Sequence, residues 1–453
     1  MISRSKAQKI IEAAVEYAGR RVDGVEASLS GSDVATSRFA NNQMTQNQSP
    51  QSDHLSVRIV RDGRQIRLSG DDLSLKGIKS LVDSAIEVVD LLERDPHLAE
   101  LHEPDRKQLT DVEQRLRYRL DRKVLAMDAD DRADAVSGII ATAEGSGLET
   151  AGVVASGQRV EAIGNSRGLF VYHSESLVEC SITMVTGDSS GWSKAQGPLR
   201  GMVDARALAG IASEKALLSA SPGEIAPGRY TAILEPAAVL DLIHFLLWDF
   251  AATSHLDKRS CLLDRLSERV FGENINIVDD VFHEEQSGAP FDGEGVPRQA
   301  VTLVENGVLK NLVYGPRSAA RSGEKPTGHG LPEPTAMGEY PCNIVIEGGD
   351  VELPDMIASC EKGVLLSRVW YVREVDPARK ILTGMTRDGT FWVEDGAIKY
   401  GVRNLRFNVN LVELLNNVIA LSPARRTAGE EGFPAVVPAM KVEGFNFTEV
   451  TRF

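Results

Sequence analysis

Asp292–Gly330 reads DGEGVPRQAVTLVENGVLKNLVYGPRSAARSGEKPTGHG, and its centre decides how the C-terminal half of the chain folds. Two runs rich in Val and Leu, Gln299 to Glu305 and Val308 to Tyr314, flank Asn306-Gly307. Asn-Gly supplies the two positive φ angles of a type I′ turn, so the pair predicts a β-hairpin. An acidic, glycine-rich entry (Asp292, Gly293, Glu294, Gly295) and a polar exit (Lys325 to Gly330) are both longer than simple turns require. Long glycine-bearing loops on a rigid hairpin are where binding sites tend to sit. Asp292 and Glu294 are therefore candidate acidic site residues. Thr327, Gly328 and His329 join them, because the His329 ring and the backbone N–H groups beside it can face a ligand.

Working outward, 453 residues exceed the size at which one core usually stops growing, so at least two domains are expected. The break falls at Ser221-Pro222-Gly223-Glu224-Ile225-Ala226-Pro227-Gly228, where two prolines and two glycines in eight residues end a helix and restart the chain as a strand. This gives an N-terminal α+β domain over 1–221 and a β-rich domain over 229–453. The first contains helices at Met1–Arg21, Leu75–Leu92 behind a Ser74 cap, Asp128–Glu144 and Arg200–Leu218. Between them lie short strands at Gly24–Ser30, Ala35–Ala40, Leu55–Val60, Arg64–Leu68, Glu149–Ser156, Arg159–Asn165, Leu169–His173 and Leu177–Val185. Asp95–Lys123 reads as a charged loop turning helical. A helix, several strands and a helix recur, with Asn41 and Asn165 at comparable strand ends, which suggests an internal duplication. The second domain holds the opening hairpin, another at Gly389–Tyr400 turned by Asp395-Gly396, a strand at Gly363–Tyr371, an apolar segment at Ala237–Ala252 and a helix near Leu411–Leu421. With few helices, it is expected to form a mostly antiparallel barrel.

Composition excludes several classes. A formal charge of −15, from 65 acidic against 50 basic residues, opposes direct binding to a phosphate backbone. No stretch approaches a membrane span, and Met1–Arg21 lacks the apolar block of a signal peptide, so a cytosolic protein is expected. Cys180, Cys261, Cys342 and Cys360 are scattered without any C-x-x-C pair and read as reduced thiols.

Local motifs offer little chemistry. Gly187-Asp188-Ser189-Ser190-Gly191 matches G-x-S-x-G, yet Trp192-Ser193-Lys194 continues as a loop or strand where a nucleophile elbow needs a helix. His283-Glu284 lacks the second histidine of a zincin, with Ser287 and Gly288 in its place, and reads as an exposed loop. His244 lies in an apolar helix and fits a satisfied core residue. No phosphate-binding loop of the form G-x-x-x-x-G-K-[ST] occurs.

A series of phrases carries a family resemblance: Arg38-Phe39-Ala40-Asn41-Asn42 with Ser56-Val57-Arg58, Phe291-Asp292-Gly293-Glu294-Gly295-Val296, Val304-Glu305-Asn306-Gly307-Val308-Leu309, Thr327-Gly328-His329, and Thr383-Gly384 leading to Phe391-Trp392-Val393-Glu394-Asp395-Gly396. In order and spacing they resemble the TldD/PmbA family, also known for an older link to modulation of DNA gyrase. The resemblance implies a cytosolic peptidase that works as a two-subunit particle. In the TldD branch a helix carries H-E-x-x-x-H and a late cysteine completes a zinc site, where zinc activates water and the glutamate is the general base. The PmbA branch, also called TldE, lacks those ligands and is the non-catalytic partner.

Here the corresponding helix spans Ala237–Phe250 and places Asp241, Leu242 and Leu246 at the histidine, glutamate and histidine positions, and no cysteine follows Cys360. Lys258-Arg259-Ser260 and Leu262-Leu263-Asp264 also resemble the PmbA branch. The resemblance thus implies a TldE-like subunit without its own metal, a TldD-type zinc subunit as partner, and Asp292, Glu294, Thr327, Gly328 and His329 as a wall of a peptide groove. Two alternatives stand beside it. One is a stand-alone homodimeric module that binds peptides or proteins. The other is a peptidase with unconventional ligands, for which Asp241 and His244, with His255, are the catalytic candidates.

Overall fold

The computed structural model describes residues 1–116 and 120–451; the part of the Asp95–Lys123 expectation over 117–119 lies outside the described residues, as do 452–453. The N-terminal sheet consists of β1 (Gly24–Ala40), β2 (Gln43–Gln48), β3 (Gln51–Arg61), β4 (Arg64–Gly70), β5 (Glu149–Asn165), β6 (Phe170–Val185) and β7 (Ser190–Gly197). They run in the order β4-β3-β1-β5-β6-β7, with β2 also paired to β1. Its axis is the antiparallel pair β1 and β5, in register from Glu26 opposite Asn165 to Phe39 opposite Gly152. The paired short strands expected in β1, β5 and β6 are each a single long strand. Gly157, which looks like a break, sits where an added Cβ would lie 2.1 Å from the Asp33 carbonyl oxygen, so it allows close strand approach.

Strand alternation divides the sheet into two faces. Val25, Ala27, Leu29, Leu55, Val57 and Ile59 point under helices Arg4–Ala18 and Leu75–Val89. Val154, Val178, Cys180, Ile182 and Met184 do the same under Ala129–Gly145 and Ala205–Leu218. Ser74 and Asp128 cap their helices through side-chain bonds to backbone N–H groups, and Asp204 starts the helix at Ala205, after a short 3-10 turn over Arg200–Met202. Each half of the sheet is thus a helix, a long strand, shorter strands and a helix, the order the duplication implies. The opposite face carries Glu26, Ser28, Arg58 and Glu161 and looks toward the C-terminal region.

That region adds β8 (Gly228–Leu234), β9 (Ile277–Asp279), β10 (Val301–Glu305), β11 (Val308–Leu309), β12 (Ile344–Ile346), β13 (Lys362–Asp376), β14 (Ile381–Glu394), β15 (Ala397–Gly401), β16 (Leu405–Asn410), β17 (Val418–Leu421), β18 (Arg425–Thr427), β19 (Ala435–Val437) and β20 (Met440–Val450). Strands β13-β8-β20-β16-β14 close into a five-stranded barrel through the β13–β14 pairing. It is antiparallel except where β8 meets β13. A second sheet, β11-β10-β9-β12-β19-β18, contains the opening hairpin.

Asn306 and Gly307 have φ of 50° and 74°, as a type I′ turn requires. The return strand is shorter than its sequence suggests. It ends at Leu309; Lys310 N–H still reaches the Leu303 carbonyl at 2.8 Å, and further on the backbone is claimed elsewhere, with Val313 N–H donating to the Phe250 carbonyl at 2.9 Å. The late helix likewise stops at Asn416, and Val418–Leu421 pairs with β20 instead. The segment 221–228 is packed rather than free, with Gly223 N–H donating to the Gly401 carbonyl at 2.8 Å. Among the described residues no helix is long and apolar enough to cross a membrane.

Candidate functional site

The polar face of the sheet and the loops of the C-terminal region enclose a cavity of about 680 Å³. β1, β5 and β6 contribute Ser28, Glu161, Ile163 and Leu177; the facing loops contribute Phe291, Asp292, Arg298, His329 and Tyr340. Two of the five expected groove residues, Asp292 and His329, therefore line one space. Glu294, Thr327 and Gly328 stand behind that wall.

Asp292 is buried and organises its own loop. One carboxylate oxygen accepts from the N–H groups of Glu294 and Val296, both at 2.9 Å, and the other accepts from Gly330 N–H at 2.7 Å. The hairpin entry and exit are thus tied to each other by one side chain. Burial pushes its carboxyl up to about 7 despite the opposing pull of Arg298 and the backbone amides.

His329 is enclosed between two partners. Its Nδ1 lies 2.9 Å from Thr327 Oγ1 and its Nε2 lies 2.9 Å from Asp279 Oδ1. Thr327 is itself held by Tyr314 N–H at 2.8 Å, and Gly328 has φ of 77° with the Pro297 carbonyl 2.4 Å from where a Cβ would stand. Only glycine fits there. Burial acts to raise the Asp279 carboxyl, but His329, Arg298 and the Asn343 N–H hold it below the usual carboxylate range. The result is a buried Asp–His pair in close contact.

Glu294 belongs to an ionic seam beside the cavity. It receives Arg58 Nη1 at 2.8 Å and Glu333 N–H at 3.0 Å, while Arg58 Nε donates to Gln65 Oε1 at 2.9 Å. Arg67 bonds Glu26 at 2.6 Å, and Arg317 pairs with Asp95 and approaches Glu333 at 3.8 Å. Arg58 and Glu294 are essentially inaccessible, so β1, β3 and β4 are clamped to the C-terminal loops through buried charge. Burial and the neighbouring Glu294 both raise the Glu26 carboxyl, against the pull of Arg67 and Arg58.

The catalytic candidates Asp241, His244 and His255 are each spent separately. Asp241 is fully buried and accepts from the N–H groups of Glu430 (2.9 Å) and Glu431 (3.0 Å), holding the loop before β19. His244 Nδ1 meets the Tyr340 hydroxyl at 3.0 Å, and His255 Nε2 meets the Asp249 carbonyl at 2.8 Å. Leu242 and Leu246 are core residues. Zinc needs three or four N, O or S donors in tetrahedral array, and the residues of this segment do not fit it. Among the described residues, no three His, Cys, Asp or Glu side chains are grouped to hold a metal ion. Ser189 donates to the Ala216 carbonyl at 2.7 Å in the turn before β7, and His283 is half-buried, accepting from Glu285 N–H at 3.2 Å.

Sequence patterning passes over Arg58, Asp279, Arg298 and Tyr340. Arg58 takes the polar position in the alternation of Leu55, Val57 and Ile59, as a solvent-facing residue of a half-buried strand would, so nothing local marks it as buried. The other three come together only through tertiary contacts.

Three family models cover the chain: the PmbA/TldA metallopeptidase domain 1 over 25–89, central domain over 113–220 and C-terminal domain over 227–449. The first two fall on the two halves of the N-terminal sheet. The chain is 24% identical to metalloprotease PmbA of Escherichia coli over 98% of each protein. It is 29% identical to a metalloprotease of Methanothermobacter thermautotrophicus over 56% of this chain, a match that spans 58% of that relative. The TldE structure from Thermococcus kodakarensis superimposes with a TM-score of 0.85 at 20% identity, covering 97% of this chain and all of that one. That likeness establishes a common fold.

Proposed function

The chain belongs to the PmbA/TldD metallopeptidase family, and from that premise we propose that it is the non-catalytic, TldE-like subunit of a cytosolic zinc metallopeptidase. In this reading it pairs with a TldD-type subunit that carries the zinc, and the two act on small or unfolded peptides. The observation that carries it is the fate of the helix Pro236–Ile243 and its 3-10 continuation. Asp241 is committed to the 429–432 loop, while Leu242 and Leu246 fill the core. A residue engaged in that way is a structural part, not a vacated ligand.

The peptide-holding role rests on the cavity. Peptide would lie against Asp292, His329 and Tyr340, with Thr327, Gly328 and Glu294 keeping that wall in place. When bound in the partner, zinc supplies the Lewis acid and the activated water. This chain supplies a preformed wall.

Purifying the chain alone and with a TldD-type subunit, then measuring zinc, native mass and peptide cleavage, tests the proposal. Zinc and cleavage should appear only in the mixed complex. A zinc-loaded, active isolated chain would overturn it, and a homodimer that ignores the partner would favour a stand-alone binding module.

A further inference from the structure

We propose that Arg298 anchors the C-terminal carboxylate of a short peptide ending in an apolar residue, bound in the cavity between the sheet and the C-terminal loops. This rests on the peptide-holding reading above and names the chemistry it recognises.

The backbone around Arg298 is pinned on both sides. Its own N–H donates to the Pro290 carbonyl at 2.9 Å, and Gln299 N–H donates to the Thr327 carbonyl at 3.1 Å. The guanidinium lines the cavity, yet Nε and Nη1 are closed off from solvent with no hydrogen-bond partner. No carboxylate among the described residues lies within ion-pair distance of it. The side chain as a whole is half-buried and lines the cavity. Arg58 and Arg67, in the seam next to it, each contact a carboxylate directly, and only Nη2 of Arg58 is left unbonded. A guanidinium with buried nitrogens that no acceptor contacts is costly, and a carboxylate in the cavity would give it a direct partner.

The surroundings select which anion. Burial acts against the Arg298 charge, and Cys342, followed by the carboxylates Asp279, Asp292 and Glu161, keeps it protonated. Their negative field disfavours a second charge on the ligand, so a monocarboxylate fits better than a phosphate. Ile163, Leu177, Phe291, Leu331 and Phe433 supply apolar wall around the cationic point. The C-terminus of a peptide sets a carboxylate directly beside an apolar last side chain, whereas the carboxylates of Asp and Glu side chains stand at the end of their own polar residue. The volume also suits a ligand larger than a single amino acid.

The test measures binding of an N-terminally labelled tetrapeptide ending in leucine to the full chain, as free acid and as C-terminal amide, with N-acetylleucine as the small-acid control. The acid should bind at least about tenfold more tightly than the amide. Arg298→Gln should erase that ratio while leaving the amide affinity within about twofold. Equal binding of acid and amide refutes the anchor and leaves peptide holding intact, whereas no binding of either peptide refutes both. A preference that survives Arg298→Gln also overturns the assignment. So does N-acetylleucine binding as tightly as the tetrapeptide, which would make a small acid the ligand.

Discussion

Arg58 and Arg298 are both guanidiniums set between the N-terminal sheet and the C-terminal loops, and their surroundings treat them oppositely. Arg58 is inaccessible and held by the Glu294 carboxylate and Gln65, with only its Nη2 left unbonded. Arg298 has two closed-off nitrogens with nothing to bond, and it faces open volume. The difference shows how one seam holds two layers together while leaving a place for something else. Paired charge marks the clamp, and unpaired charge marks the space where a ligand is expected.

The largest effect should come from breaking the clamp. Glu294→Ala leaves Arg58 buried without its counter-charge and is expected to cost about 3–5 kcal/mol, read as a fall in the urea midpoint. Arg298→Met should cost less, because no hydrogen bond or close ion pair holds its guanidinium and only its longer-range pull on Asp279 and Asp292 is lost. Should both variants destabilise equally, the distinction between the two arginines would collapse.

Asp241→Ala comes next. It leaves the N–H groups of Glu430 and Glu431 unpaired and should cost about 1–3 kcal/mol, with faster amide exchange confined to 429–432. Faster exchange throughout the barrel instead would mean that the carboxylate supports more than its loop.

A smaller effect follows from pH. The Asp292 carboxyl sits at about 7 in the folded chain, against about 3.9 when unfolded. Between those values the folded state holds the extra proton, so stability falls as pH rises from about 4 to 7 and levels off above that. Asp241 and Glu333, also raised by burial, act with the same sign. Asp292→Asn should therefore shallow that slope without abolishing it. Asp279 acts oppositely: its folded value is depressed, so its contribution is full above the unfolded value and lost as pH falls through the folded one. Ser189→Ala, which loses one bond to a carbonyl, should be the mildest, at about 1 kcal/mol, with peptide binding unchanged.

Local signals in the chain carried well where the physics is local. Asn306-Gly307, Asp395-Gly396 and the Ser74 cap each act within a few residues, and each forms as its residues imply. Barrel closure through β13 and β14 and the short return strand at Leu309 depend on which distant backbone claims an N–H group, which no periodicity encodes. The site divides in the same way. Asp292 and His329 stand out because glycine-rich loops surround them, and the fold brings both to one cavity. Glu294 sits in the same acidic loop, but its role depends on Arg58, 236 residues away. Arg298 gives no local sign, because its significance lies in the partners it lacks.

The central claim is that cleavage needs a second, zinc-bearing chain. Its most direct test is peptide hydrolysis by this chain alone, by a TldD-type subunit alone and by the two together, with zinc determined in each. The account predicts zinc in the partner and full cleavage only in the mixture. Stoichiometric zinc and undiminished cleavage in this chain alone would contradict it.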